Sequence, residues 1–520
     1  MELRPFDLAW IVSDLHIGGV PGSQMFQCGP QFKSLIDQIL KEHQALRKSA
    51  GGKRDAQCLL VINGDFIDFL AQMPKGFFSL NDSLSMLKSI MQEPAFQPVT
   101  KALQNFAAAD GTHLVVVLGN HDLELTLPDC RQHFIDTVTD GKPERRGKVE
   151  LCFEGWGYRF SVGGRKALCM HGNETDPWNF TRYDELDRIQ REMTIHGGSE
   201  FGHNWMPSAG TQFVIKAVNP IKAEFPFVDL MHPFSLLIAV LGILDPSNIT
   251  YGNDAAKAAA RAALNETTRP QSQRRMLSAG AMATGGAAVS RHLSTDEIVK
   301  ATEEAMRDGT IDQLIASDGS ELLFMDGWID SMKSTATNLW NRTVELKDRA
   351  VKSLTDTGRA IHCEALRRTL MPMVQEIPET PIDLSKADKA IESAIGGTYD
   401  VVFAGHTHSL RFAPRISGKG FYVNTGTWAD RMTILRKDLN DSQKFRELYD
   451  AMIGGPDDSP EKARQRLRET HLGDRPLVEL QCPAACLRPD KSGKAVVQLW
   501  QPKASGGKQI EFEPKHQQNL

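Results

Sequence analysis

Leu8-Ala9-Trp10-Ile11-Val12-Ser13-Asp14-Leu15-His16 is the stretch that decides the fold. Its first five residues are apolar without interruption, and the run stops at Ser13 and Asp14. Five residues is a strand's length, and a run with no polar alternation is apolar on both faces, so it predicts a strand covered on both sides. The polar residues that follow lie at its C-terminal end, where sheets of this kind gather the groups that handle ligands.

The same pattern recurs four times. The run 58–62 ends at Asn63, Gly64 and Asp65, with Asp68 three residues on, and 113–118 ends at Gly119-Asn120-His121-Asp122. The run 167–170 ends at His171-Gly172, and 400–404 ends at Gly405-His406-Thr407-His408. Between the early runs lie helical patterns, at 31–48 with apolar Phe32, Leu35, Ile36, Ile39, Leu40 and Leu46, and at 100–109. Strands alternating with helices predict helical cover on both faces. They also predict that five clusters far apart in sequence converge on one site.

Composition bounds the rest. The chain has 520 residues, 41% hydrophobic and 24% charged, which excludes wholesale disorder and fibrous repeats. A net charge of −5 gives no basic excess for nucleic acid. Eight cysteines are too few for a disulfide scaffold. Cys28, Cys58, Cys130, Cys152, Cys169 and Cys363 read as reduced, buried thiols, and Cys482-Pro-Ala-Ala-Cys486, with no second pair, as two incidental cysteines. The first apolar run is too short for a secretory core, and the longest, 233–244, falls short of the roughly 20 residues that span a bilayer. The expected location is cytoplasmic, with peripheral membrane contact as a variant.

The gap between His171 and His406 differs from the rest. It holds an amphipathic pattern at 184–196, an apolar zone at 225–244 broken by Pro226 and Pro233, and a zone at 255–290 rich in Ala, Gly and Ser. Helical patterns resume at 295–306, 321–332, 343–373 and 383–395. The expected organisation is a discontinuous core of 1–175 and 399–435, with a helical insertion or cap at 176–398 that is low in complexity at 255–290. Helices and strands at 436–520, with strands expected at 477–480 and 495–500, complete or flank the core. The zone 225–244 reads first as the insertion's own core or an oligomer interface, and second as a membrane or lipid-tail patch. The basic stretch 257–291 reads as a solvated segment, and His196, His203, His232 and His362 as surface or core histidines.

The clusters supply carboxylates, imidazoles and one amide, a mixed nitrogen and oxygen set that suits first-row divalent metals better than a pure oxygen cage. Asp14-x-His16 and His406-x-His408 on extended backbone place both side chains on one face. Seven candidate ligands exceed what one tetrahedral metal needs, and two metals sharing a carboxylate would use them all.

Asp14-x-His16, Gly64-Asp65-x-x-Asp68, Gly119-Asn120-His121-Asp122, His171-Gly172 and Gly405-His406-x-His408 resemble, in order, the signature of the calcineurin-like metallophosphoesterases. The resemblance covers roughly residues 6–173 and 400–428. It implies an α/β fold, the four-layer αββα sandwich of two mixed sheets with flanking helices, here with a large helical insertion. It implies two divalent metal ions, manganese first and iron, zinc or nickel as alternatives. Asp14, His16 and His408 would hold one, Asn120, His171 and His406 the other, and Asp65 would bridge them with a water or hydroxide. His121 would protonate the leaving group with Asp68 as its partner. Some lipid A pathway members carry arginine where His121 stands, a departure that weakens that lipid assignment. Asn424-Thr425-Gly426-Thr427-Trp428 resembles a segment following the last histidine pair in bacterial members, with a mainly structural role near the rim. Asn173 and Asp176 are candidate substrate contacts, and Glu174 and Trp178 accompany them.

The expected activity is hydrolysis of a phosphate mono- or diester by a metal-activated hydroxide, on a phosphorylated small molecule or a lipid-linked substrate. The alternatives are a nuclease or cyclic-nucleotide phosphodiesterase, and a metal-retaining scaffold without catalysis.

Overall fold

Leu8–Val12, Cys58–Asn63 and Thr112–Val117 are strands in which every residue is buried. The computed structural model describes residues 3–232 and 380–520 apart from 22–23, 50–55, 73, 75–76, 177–178, 199–204, 223–224, 456–457, 491 and 504–509. Between 233 and 379 it describes only 240, 359–360, 363–364, 366–367, 370–371 and 374. The low-complexity zone 255–290, the helical patterns at 295–306 and 321–332, most of 343–373, the basic stretch 257–291, Trp178, His203 and His362 lie outside the described residues.

The three strands run parallel, side by side. They sit within a seven-stranded sheet ordered Phe512–Asn519, Ala495–Pro502, Ala484–Pro489, Leu8–Val12, Cys58–Asn63, Thr112–Val117, Val149–Cys152. Alternation splits each strand between two covers. Trp10, Val12, Leu60, Ile62 and Val116 face the helices Gly29–Ser49, Gln97–Ala108 and Pro128–Val138 through Phe32, Leu35, Leu103, Phe106 and Phe134. Ala9, Ile11, Leu59, Val61 and Val115 instead meet Phe160, Val401, Phe403 and Val423.

Those partners belong to a second, six-stranded sheet ordered Arg4–Phe6, Tyr158–Val162, Arg165–Cys169, Val401–Ala404, Phe421–Thr425, Leu410–Pro414. Its far face, with Leu168, Val402, Ala404 and Tyr422, is covered by Ile391 and Ile395 of the helix Lys386–Ile395. The layers therefore run helix, sheet, sheet, helix, an α/β sandwich. The expectation that helices cover both faces of each strand is corrected: one cover is the other sheet. An all-apolar strand requires two dry covers, and its own residues do not say whether a helix or a sheet provides them.

The late strands differ from expectation. Only Val478–Glu479 pairs within 477–480, while Ala495–Pro502 forms as expected. Ala484–Pro489 lies antiparallel to Leu8–Val12, and places Cys486 in the sheet beside it. Cys482 and Cys486 are buried free thiols.

A separate core packs Phe225, Phe227, Leu230 and Met231 against Met432, Phe445, Leu448 and Leu467. Phe227 lies in the 3-10 turn Pro226–Asp229, flanked by Phe225 and Leu230; Met231 opens the Met231–His232 strand, paired in parallel with Arg431–Thr433, and Phe445, Leu448 and Leu467 come from the helices Ser442–Ile453 and Pro460–Glu469. The described part of 225–244 thus lies in this core; 233–239 and 241–244 lie outside the described residues. Among the described residues no helix is long and apolar enough to cross a membrane.

Candidate metal centre

The strand ends are stitched into one surface by main-chain bonds. Asp14 N donates to Gly64 O at 3.1 Å, His16 N to Asp65 O at 2.9 Å, Gly405 N to His171 O at 2.9 Å and Trp428 N to Asp14 O at 3.0 Å. Five of the residues so placed hold positive φ: Asp14 (53°), His16 (49°), Asp65 (50°), His406 (65°) and His408 (52°). Non-glycine residues rarely adopt this region, and each costs on the order of 1–3 kcal/mol, strain that collects where geometry serves function. Two motif glycines are required by close approach. A Cβ on Gly119 would lie 2.2 Å from Asp65 Oδ1, and one on Gly405 would lie 2.4 Å from Asp14 Oδ2.

Six of the seven expected ligands are brought together in two overlapping groups, and the seventh, Asn120, is buried next to His121. Asp14, His16, Asp65 and His408 present ligand atoms within 4.8 Å of one another, and so do Asp65, His171 and His406. Asp65 belongs to both. His16 Nε2 lies 2.9 Å from His408 Nε2, and His408 Nε2 lies 3.3 Å from Asp14 Oδ1. His171 Nε2 lies 3.2 Å from Asp65 Oδ2 but makes no hydrogen bond. His171 Nδ1 donates to Asn63 O at 2.9 Å, which leaves the Nε2 lone pair for another partner. Asn120 Oδ1 is likewise buried with no partner.

These observations test whether divalent cations fit. Orphaned acceptors and imidazole nitrogens facing each other are what a cation's ligands look like without it. The electrostatics agree. Burial acts to raise the Asp65 carboxyl, yet His171 and His121 hold it well below the ordinary carboxylate range. Burial acts to lower His171, yet Asp65 raises it to about 10. The buried Asp65 carboxylate draws a proton onto His171, and a divalent cation would supply that positive charge with the imidazole neutral. The residues fit such a group.

His121 Nδ1 lies 3.2 Å from Asp68 Oδ1. Burial acts to lower His121, but Asp68 and Asp65 raise it to about 9. Asp68 has a second task that the sequence did not disclose: its Oδ2 accepts from His16 Nδ1 at 3.0 Å, so one carboxylate orients both a candidate ligand and the candidate acid. Asp122 was visible in its cluster but had no assigned role. It accepts from Gly119 N at 2.7 Å and Phe66 N at 2.9 Å, strapping two site loops together.

The two candidate substrate contacts are placed differently. Asn173 is buried, with Nδ2 donating to Thr181 Oγ1 at 3.1 Å and Oδ1 left without a hydrogen-bond partner. Asp176 Oδ2 lies 2.8 Å from His406 Nε2. Glu174 accepts from Gly172 N at 2.8 Å. Asn424 Nδ2 donates to Gly405 O at 2.7 Å and Thr427 Oγ1 to Asp14 O at 2.9 Å, a structural role for that segment.

Residues 9–258 match the family model described as calcineurin-like phosphoesterase. The match takes in the first four clusters and ends before 405–408, which the Val401–Ala404 strand carries into the same site. No curated protein and no solved structure matches the chain.

Proposed function

The chain carries a calcineurin-like phosphoesterase domain, and from that premise we propose that it hydrolyses a phosphate mono- or diester with two divalent cations, manganese first, with iron, zinc or nickel as alternatives. The observation that carries the reading is Asp65, one buried carboxylate shared by two ligand groups beside the orphaned Asn120 Oδ1 and His171 Nε2. Bound there, two divalent cations supply Lewis-acid charge to a phosphoryl group and make water a stronger nucleophile near neutral pH.

The chain's own residues do the rest. Asp14, His16 and His408 would hold one cation, Asn120, His171 and His406 the other, and Asp65 would serve both. His121 is the acid. Its side chain is 18% exposed while that of Asp68 is 4%, so the imidazole is the accessible member of the pair. The Asp68 carboxylate, 3.2 Å from Nδ1, keeps the ring charged, and the opposite nitrogen, Nε2, gives its proton to the departing oxygen. The net charge of −5 favours a small phosphorylated molecule or a lipid-linked phosphate over a polynucleotide.

The test is a substrate panel with the manganese-loaded chain: an aryl monoester, a bis-aryl diester, a nucleoside diphosphate linked to lipid, a cyclic nucleotide and single-stranded DNA. The expected result is chelator-sensitive hydrolysis of one or more of the non-polymeric esters. His121→Gln should slow an alkoxide-leaving substrate by roughly 10²–10⁴-fold and a nitrophenolate ester far less. Best turnover on DNA would overturn the substrate preference, and no turnover under any metal loading would overturn the hydrolase reading.

A further inference from the structure

His406 is held from outside the ligand group by a residue that none of the five clusters contains. Asp176 Oδ2 lies 2.8 Å from His406 Nε2, yet Asp176 is not among the residues whose ligand atoms gather with Asp65 and His171. Asp176 therefore holds Nε2 of His406 without joining the group gathered around Asp65. A carboxylate only accepts, so Nε2 carries the proton and Nδ1 keeps its lone pair.

The carboxylate is itself fixed. Asn179 Nδ2 donates to Asp176 Oδ2 at 2.6 Å. The short 3-10 turn Asn173–Thr175 closes with Asp176 N on Asn173 O at 3.2 Å, which sets where the side chain starts. The imidazole is confined on other sides as well. The His171 ring lies 5.3 Å away, centroid to centroid, and a Cβ on Gly172 would come within 3.2 Å of His406 Cβ. One segment thus supplies a candidate ligand, His171, and five residues later the group that orients another, His406.

We propose that Asp176 is the positioning residue for His406, fixing its tautomer and ring angle so that Nδ1 serves the second cation. The proposal rests on the two-cation reading above and deepens it. Carboxylate partners of ligating histidines set affinity as well as geometry, and their loss costs about 10–100-fold in metal binding. The segment that opens the long insertion therefore has a direct hold on the metal centre.

The experiment is manganese titration of the full chain, followed by electron paramagnetic resonance of free Mn²⁺ and by calorimetry, for wild type, Asp176→Ala and Asp176→Asn. One of the two cations should bind equally well in all three. The other should lose roughly 10–100-fold in affinity with Asp176→Ala and less with Asp176→Asn, whose amide oxygen can still accept from Nε2–H. The fall in kcat of Asp176→Ala should be recovered by excess Mn²⁺, with KM unchanged. Unaltered binding of both cations in Asp176→Ala, or a raised KM that metal does not rescue, overturns the proposal and returns Asp176 to a substrate contact. Because Asp176→Asn is isosteric, it keeps the test intact if the alanine variant fails to fold. Wild type that takes up fewer than two cations sinks the two-cation reading itself, and is seen before any variant is compared.

Discussion

Two regions of this molecule bury charge, and they handle it in opposite ways. Beneath the helix Lys386–Ile395, Glu392 pairs with Arg415 at 2.7 Å with both side chains fully buried, and Asp388 pairs with Arg411 at 3.1 Å. Every remaining valence there is used. Glu392 also accepts from Ile416 N at 2.9 Å, Arg415 donates to the carbonyls of Tyr399 and Gly396, and Tyr422 OH donates to Asp388 at 2.9 Å. None of their buried side-chain nitrogens or oxygens lacks a partner. At the strand ends the reverse holds: Asn120 Oδ1 and His171 Nε2 are buried and unbonded, and the backbone under Asp14, His16, Asp65, His406 and His408 is left-handed. Satisfied buried charge holds a fold, whereas unsatisfied buried polarity on strained backbone marks a place kept for something else.

The contrast can be broken by exchanging the roles. Arg415→Ala should have the largest effect, because it strands Glu392 without its countercharge in a dry layer. The expected loss is about 3–5 kcal/mol of stability, read as a shifted urea midpoint. An Arg415→Ala chain that unfolds with wild type would show that the network is not structural. Asn120→Ala should do the opposite. It removes an acceptor that has no partner, so stability in chelator should stay within about 1 kcal/mol of wild type. Turnover should fall by roughly a hundredfold or more, since even outer partners of a metal site cost that much. Unfolding by Asn120→Ala as severe as that of Arg415→Ala would erase the distinction between the two regions.

How much of this was legible in the sequence follows from the range of the signals. Each apolar run with its terminal cluster is a local pattern, so Leu8–Val12, Cys58–Asn63 and Thr112–Val117 were readable along with the polar residues that end them. Seven expected ligands needed only that such strands lie in register at one end. What was missed depends on contacts between segments. The hold of Asp68 on His16 spans 52 positions and that of Asp176 on His406 spans 230, and no spacing rule encodes either. The bond from Asn173 Nδ2 to Thr181 was hidden because an amide following a candidate ligand histidine looks the same in sequence whichever way it turns. The second sheet as a cover was hidden for the same reason. The strand Ala484–Pro489 was hidden by its own residues, because Pro483 and two alanines weaken the strand signal.

Glu124, close to the Asp122 and Asp68 carboxylates, sharpens the comparison by the smallest effect. It is 2% exposed, in the short turn that follows His121 and Asp122, and accepts from Ser79 N at 3.4 Å. Burial raises its carboxyl from an ordinary 4.5 to about 8, with Asp122 and Asp68 adding to the rise against the bonds from Glu124 and Ser79. The folded chain therefore holds this proton up to about pH 8, whereas the unfolded chain releases it near 4.5. Below 4.5 both states are protonated and Glu124 costs nothing. As pH rises from there to about 8 the folded state binds more protons than the unfolded one, so stability falls, at no more than about 1.4 kcal/mol per pH unit for this one group. Glu124→Gln carries a neutral isostere at every pH. Urea midpoints of the two chains, both in chelator, should therefore coincide near pH 4 and separate progressively toward pH 8, with the variant the more stable. Parallel midpoints across that range would mean that Glu124 ionises freely in the fold, and that its carboxylate belongs with the satisfied charges under the Lys386–Ile395 helix instead of with the strained ones beside Asp65.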